Sequence, residues 1–291
     1  MFQYHQRYAS SLAADLALVV VALIWGATFP MVKNALREVG PFTFLAIRFW
    51  LAFVVLGVIL GRRLWRKGRS LWRAGGILGA VLFAAYAFQT TGLRTTTASK
   101  AGFLTGLSVV LVPLLSALLL RQFPTLTAWL AALLAMLGLA LLSLPVGQSL
   151  SSGDGLVLGC ALMFAIHILL VGRYAAYHDP LALSAVQIGV VALFGGLVGS
   201  LVEPLPIRFS PVVWGALLFT ALLATALALV LQVTAQRRTP AHRAALLLTL
   251  EPVFAALTAY LLGERLTPWG LAGCGLILVA MVVAEVGERN N

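Results

Sequence analysis

Apolar residues fall along this chain in ten long blocks, at 12–32, 42–60, 74–93, 99–120, 126–144, 155–171, 181–202, 212–232, 241–262 and 269–286. Each comes close to the roughly 20 residues that an α-helix needs to cross the hydrocarbon of a bilayer. Polar and turn-forming residues are confined to the gaps, among them Gly40-Pro41, Arg121-Gln122-Phe123-Pro124, His178-Asp179-Pro180 and Glu203-Pro204. The pattern predicts an all-α integral membrane protein with ten transmembrane helices. The first block follows Arg7 as the apolar core of a signal peptide would. It is too long, however, lacks a small-x-small cleavage site and runs on into a repeat, so it is expected to stay in the mature chain.

The punctuation of these blocks recurs. Asp15 and Pro41 return as Asp154 and Pro180 after 139 residues, and Gln89, Arg94 and Arg121 line up with Gln232, Arg237 and Glu264 after 143. The slip of four residues falls in a loop between the two sets. Two units of five helices are expected, 1–150 and 151–291. An odd number of crossings brings the second unit into the membrane from the opposite face, so the units are inverted copies. Inverted repeats are the structural signature of secondary transporters, because halves of opposite orientation give two conformations of similar energy, one open outward and one inward.

Composition agrees. Hydrophobic residues make up 61% of the 291 positions and charged residues 10%, with a mean hydropathy of +1.00. A soluble domain carries about a quarter charged residues, so a wholly water-facing surface is excluded. Of the 20 Lys and Arg, 13 fall in the loops of one face, most densely at 62–73, and 6 in those of the other, with Arg48 inside a span. The positive-inside bias then puts both termini and the 62–73 loop in the cytoplasm and makes this a multi-pass protein of the cell inner membrane. The net charge of +11 reads as topology and contact with anionic membrane lipid. No basic segment extends into a soluble module, so no nucleic-acid partner is expected.

The segment Ala22-Leu23-Ile24-Trp25-Gly26-Ala27-Thr28-Phe29-Pro30 resembles the first-helix signature of the EamA-like family of the drug/metabolite transporter superfamily, and Phe44-Leu45-Ala46-Ile47-Arg48-Phe49 resembles its second helix. Leu250-Glu251-Pro252-Val253-Phe254-Ala255-Ala256-Leu257, followed by Gly263-Glu264-Arg265-Leu266-Thr267, resembles the ninth-helix motif and its exit. The first half departs from the pattern, with Leu120-Arg121-Gln122 where Gly-Glu-Arg is usual, so Arg121 receives no family role. The resemblance covers nearly the whole chain. It implies a ten-helix carrier that moves small metabolites, commonly out of the cytoplasm, by alternating access. In length, helix count and aromatic content the chain is similar to the YddG-type amino-acid exporters, which implies an amino acid or related metabolite as substrate.

Polar groups inside spans are costly and are functional candidates by default. Arg48 lies about seven residues into its helix, roughly 10 Å by helical rise; it faces a cavity, or snorkels to the headgroups and holds the fold. Glu251 is the one acid well inside a span. It suits substrate or proton coupling, or it satisfies backbone freed by Pro252, which cannot donate to the Leu248 carbonyl. Pro113 frees the Val109 carbonyl in the same way, and Pro113 and Pro252 are candidate hinges. His167 stands mid-helix, where an imidazole binds substrate, takes a proton near neutral pH, or pairs with a neighbouring carbonyl. Gln89 and Gln232 are repeat-related and are expected at the two mouths, or as helix-interface residues. Phe83 and Tyr86 share a face with Gln89 and form an aromatic wall or ordinary packing; Trp25 adds a third ring. Lys100 opens the fourth helix at the pocket rim or simply positions it.

Other features read as structure. Asp15 and Asp154 are expected to cap the first and sixth helices. Trp50, Trp65, Trp72, Trp129, Trp214 and Trp269 fall mostly near span ends, as interfacial anchors do. Glycines 102 and 106, 155 and 159, and 195 and 199 are small-xxx-small pairs for close helix approach. Cys160 and Cys274 read as small core residues.

An integral-membrane enzyme is the rival class. It needs a nucleophile, base and orienter or a metal set, and the chain offers one deep acid, one deep histidine and no His-x-x-x-His or phosphate-cradling loop. Neither a metal, a cofactor nor enzymatic activity is expected. With no ATP-binding motif, gradients or the substrate's own concentration supply the energy. The sequence reading is a monomeric secondary transporter exporting hydrophobic, aromatic or other neutral amino acids, with efflux of drugs or other metabolites as the alternative.

Overall fold

The computed structural model describes residues 12–143, 151–204, 208–261 and 267–289. Gly263, Glu264 and Arg265 of the exit motif, and Arg7, lie outside the described residues. In chain order the first half forms α1 (Leu12–Gly26), α2 (Thr28–Ala35), α3 (Pro41–Leu60), α4 (Arg62–Trp65), α5 (Arg69–Gly92), α6 (Ala98–Gly106), α7 (Ser108–Leu120) and α8 (Leu126–Ser143). The second forms α9 (Ser152–Tyr174), α10 (Pro180–Val202), α11 (Pro211–Ala221), a π-helical segment (Leu222–Leu227), α12 (Ala228–Ala235), α13 (Ala241–Leu248), α14 (Leu250–Leu261) and α15 (Pro268–Arg289). No strand occurs among the described residues. In hydrocarbon every backbone N–H must find its partner within its own segment, and the helix does this locally.

Among the described residues, eight segments are long and apolar enough to cross a membrane: Leu12–Ala35, Pro41–Leu60, Arg69–Gly92, Ala98–Leu119, Ser152–Tyr174, Pro180–Val202, Pro211–Ala235 and Pro268–Gly287. The ten expected blocks are therefore matched at eight places. The block at 126–144 is α8, apolar over only Leu126–Leu142. The block at 241–262 is split at Thr249 into α13 and α14, and neither piece alone has the length.

Helix starts follow local chemistry. Pro41, Pro180 and Pro211 sit in the first turn of α3, α10 and α11, where a missing N–H costs nothing. The side chains of Asp179 and Ser210 accept from the N–H of Leu181 and Val213. Asp154 completes a capping box with Ser151 at the start of α9. Asp15, in the first turn of α1, faces Arg243, 2.7 Å away.

Four helical rods are interrupted, each near its middle. The α1–α2 rod breaks at Ala27 and the α13–α14 rod at Thr249, each three residues before a proline. Pro30 leaves the Gly26 carbonyl without its helical donor, and Pro252 does the same to Leu248. Thr28 and Thr249 hydroxyls donate back to the carbonyls of Trp25 and Leu246, at 2.7 and 2.6 Å. The α6–α7 rod breaks at Leu107, next to Gly106, and not at Pro113, which lies within the continuous α7. The fourth rod, α11 to α12, carries the π-helical turn.

The two sequence units interlace rather than sit side by side. The most extensive helix pairs are α8 with α15, α3 with α10, α5 with α9 and α5 with α10, each joining the first unit to the second. Glycine makes these approaches possible. A Cβ on Gly273 would stand 2.5 Å from the Gly138 carbonyl oxygen and 2.7 Å from the Leu142 nitrogen. Gly195 and Gly199 do face the backbone of α3, at Ala46 and Thr43, whereas Gly102 and Gly155 have nothing near them. The pairs at 102/106 and 155/159 are thus not close-approach motifs. Gly75 and Gly79 on α5 are, lying against Val186 and Val190 of α10.

Replacing Gly273 with Ala should lower the apparent Tm in lipid nanodiscs by several degrees, from an overpacking cost of about 1–3 kcal/mol, because the obstructing atoms are backbone. Gly155→Ala, which meets open space, should shift it by less than about one degree. Equal shifts for the two would refute this account of the α8–α15 contact.

Candidate functional site

The candidate chamber lies between the halves and is lined by residues of seven helical rods. Trp25, Thr28, Phe29 and Val32 come from the α1–α2 rod, Arg48 from α3, and Tyr86, Gln89, Thr90 and Leu93 from α5 and its end. Gly102, Thr105, Gly106 and Ser108 flank the break between α6 and α7. Phe164 and Ile168 come from α9, Gln232 from α12, and Leu248, Thr249, Glu251 and Pro252 flank the break between α13 and α14. Its cavity volume is about 60 Å³, within about 820 Å³ of space between atoms when open solvent at the mouth is counted. Three of the four interrupted rods therefore place their interruptions on its wall.

The fourth interruption holds Arg48. A π turn leaves backbone groups out of the regular ladder, and here the Ala224 carbonyl accepts from the Trp25 indole N–H at 2.8 Å. Arg48 Nε donates to Thr225 Oγ1 at 2.7 Å, and its Nη2 reaches both the Ala224 carbonyl and the Tyr86 hydroxyl at 3.5 Å. The guanidinium also lies over the rings of Tyr86 and Phe49, at 4.9 and 5.3 Å from their centroids. Arg48 is only 4% exposed, so it does not snorkel. Neutral acceptors and π faces hold it, a cation–π arrangement that gains strength when desolvated.

Glu251 faces the same chamber from the break in the α13–α14 rod. Among the described residues it makes no hydrogen bond or ion pair, with Arg48 or any other group. Around the two charges lie hydroxyls (Thr28, Thr90, Thr105, Ser108, Thr249) and four aromatic rings (Trp25, Phe29, Tyr86, Phe164). Gln89 donates to Thr105 at 3.4 Å. Such a wall can bind one small solute carrying both signs of charge. It offers no nucleophile–base–orienter set, and no group of metal ligands occurs among the described residues.

Of the residues singled out from sequence, Trp25, Arg48, Tyr86, Gln89, Gln232, Glu251 and Pro252 come together on this wall. Gln89 and Gln232 share one chamber instead of marking two mouths. Three candidates lie elsewhere. Phe83 packs between the rings of Phe42 and Phe194, at 6.4 and 5.5 Å between centroids. His167 is 1% exposed and bonds the Gln187 side chain at 2.8 Å. Lys100 is buried against Asp154, Nζ to Oδ2 3.4 Å. Each is satisfied by a partner outside the chamber. The hydroxyl residues and Thr225 escaped the sequence reading, since a lone threonine in an apolar run satisfies itself on its own helix as often as not.

Comparison with known proteins agrees with this architecture. The model of the EamA-like transporter family matches residues 12–144 and again 151–285. An uncharacterized transporter of Archaeoglobus fulgidus is 36% identical over 276 residues, covering 94% of this chain and 86% of that protein. The threonine/homoserine exporter RhtA of Escherichia coli strain K12 is 35% identical over 187 residues, 62% of this chain and 61% of that one. A solved crystal structure superposes with a TM-score of 0.80 at 20% identity, over 95% of this chain and 98% of its own, and shares the fold. The chain belongs to the EamA-like family of the drug/metabolite transporter superfamily, with the family domain present twice, and is a membrane transporter.

If Arg48 is held by the π turn, Thr225→Val should leave its buried guanidinium short of an acceptor and lower stability by about 1–3 kcal/mol. Thr225→Ser, which keeps the hydroxyl, should recover most of the loss. Thermal melts in nanodiscs read both; a Val variant as stable as the parent would refute the contact.

Proposed function

We propose that this transporter exports neutral, zwitterionic amino acids across the cell inner membrane by alternating access. In this reading α8 and the α13–α14 rod complete ten crossings with the eight long segments. The two five-helix units are inverted, and both termini face the cytoplasm. One observation carries the substrate reading: Arg48 and Glu251 face a single chamber without pairing with each other. An α-amino acid brings a carboxylate for the first and an ammonium for the second. A phosphorylated solute would call for converging cations, and Arg48 is the one cation among the lining residues. The hydroxyl-rich wall suits side chains like those that RhtA's name describes; the rings suit larger neutral ones.

Glu251 also supplies a coupling device. A single carboxyl can hold the substrate ammonium or a proton, not both at once, so the two exchange at one group. Export of the amino acid then runs against proton entry, using a gradient and no nucleotide. Efflux of flat apolar compounds is the second reading, favoured by the four rings on the wall.

Purified protein in liposomes should move threonine or a large neutral amino acid without ATP. The corresponding amine and 2-oxo acid, each lacking one charge, should be at least about tenfold poorer, a loss of about 1.4 kcal/mol or more. No flux for any amino acid in a broad panel would remove the substrate reading. Glu251→Gln should flatten the pH dependence of flux and its response to an imposed proton gradient; an unchanged pH profile would leave Glu251 without a coupling role. Cysteines placed at Arg69 and Asn290 should be labelled from the same side by an impermeant maleimide, and opposite-side labelling would break the topology.

A further inference from the structure

The interlaced halves are tied at their two ends by clusters that are copies of each other. At one end Arg243 Nη2 lies 2.7 Å from Asp15 Oδ2, and the Thr239 hydroxyl donates to Asp15 Oδ1 at 3.4 Å. At the other end Lys100 Nζ lies 3.4 Å from Asp154 Oδ2, and the Thr96 hydroxyl donates to Asp154 Oδ1. Asp154 follows Asp15 by 139 positions, and Thr239 and Arg243 follow Thr96 and Lys100 by 143, the two offsets that define the repeat. Each cluster crosses between units: the hairpin tip of one is bonded to the first long helix of the other. All four charged side chains are largely buried, with side-chain exposures between 5 and 13%.

The cations stand on corresponding short helices. Lys100 is on α6, nine residues ending at the Leu107 break; Arg243 is on α13, eight residues ending at the Thr249 break. In both cases the break borders the chamber, at Gly106 and Ser108 in one and at Leu248 and Glu251 in the other. Each short helix thus has a latch at its outer end and an interruption at the chamber wall.

We infer that α6 and α13 are the two gates of this carrier, each hinged at its break and held shut by its carboxylate cluster, and that the clusters open in alternation. The inference rests on the transport reading. Ion pairs suit the task because a partly buried pair is lost steeply once separated and water enters, giving two discrete states. Both clusters are formed in the structure. The ends are not equal: Arg243 also reaches Glu285 at 2.5 Å, while Leu142 stands 143 positions before Glu285.

The test uses full-length protein lacking Cys160 and Cys274. Oxidised cross-links between Asp15→Cys and Arg243→Cys, or between Lys100→Cys and Asp154→Cys, should each cut flux at least tenfold, restored by reductant. Flux unchanged by a completed cross-link at either end would overturn the gate assignment. Separately, a reporter cysteine at Thr105 is labelled with impermeant maleimide from each side of vesicles, without substrate. Asp15→Asn should raise labelling from the Asp15 side at least threefold, and Asp154→Asn from the opposite side. Shifts in the same direction, or none, would overturn alternation. Thr239→Val and Thr96→Val weaken the same clusters while keeping the charges, and provide the readout if the Asn variants do not assemble. Labelling needs no transported solute, so a parent inactive toward every amino acid sinks the substrate reading while the gate result stands.

Discussion

A guanidinium in the interior of a membrane bundle must be satisfied without water, and much of the surrounding architecture follows from how Arg48 is satisfied. An ordinary helix has no backbone oxygen to give. The π turn at Leu222–Leu227 releases one, the Ala224 carbonyl, and aims the Thr225 hydroxyl at Nε. Trp25 donates to the same carbonyl, so the α1–α2 rod, α3 and the α11–α12 rod meet around one oxygen. Because all its partners are neutral, Arg48 keeps its charge uncompensated by any carboxylate. A buried ion pair with Glu251 would have quenched both charges and left the chamber electrostatically blank.

Close helix contact makes that arrangement possible. Without a hydrophobic drive between helices in lipid, packing has to come from small residues that let backbones meet. Here those meetings occur across the repeat: Gly138 with Gly273, Gly92 with Gly153, Gly75 and Gly79 with Val186 and Val190. Gly26 adds another, its position leaving no room for a side chain beside the backbone of Glu251 and Ala255. The contact brings the break in the first rod against the break in the ninth. Duplication followed by interlacing thus gathers the proline-made interruptions of different units onto one wall.

Much of this was legible in the chain. Periodicity and length gave the helical class, the offsets 139 and 143 gave the duplication, and depth in the membrane singled out Arg48 and Glu251. What was not legible depends on which face a residue turns and what stands opposite. Phe83, three residues before Tyr86, looks like its neighbour in sequence, but α5 turns it toward Phe42 and Phe194 instead. His167 found Gln187, and Lys100 found Asp154. Pro113 looked like the partner of Pro252, yet the rod breaks at Leu107. The π turn was not read from Leu222-Leu223-Ala224-Thr225-Ala226-Leu227, an apolar run whose contact with Arg48 appears only in the fold.

The small-residue pairs illustrate the same limit. Spacing alone cannot tell 195 and 199, which face α3, from 102 and 106, which do not both face a helix, because every glycine-rich helix offers such pairs by chance. Reading the polar exceptions against the repeat is more discriminating. A carboxylate, a threonine and a cation that keep their relative places through both copies of the repeat must satisfy the same geometry twice. Where one end gains a further carboxylate, as at Glu285, the copies have parted in composition while keeping their form.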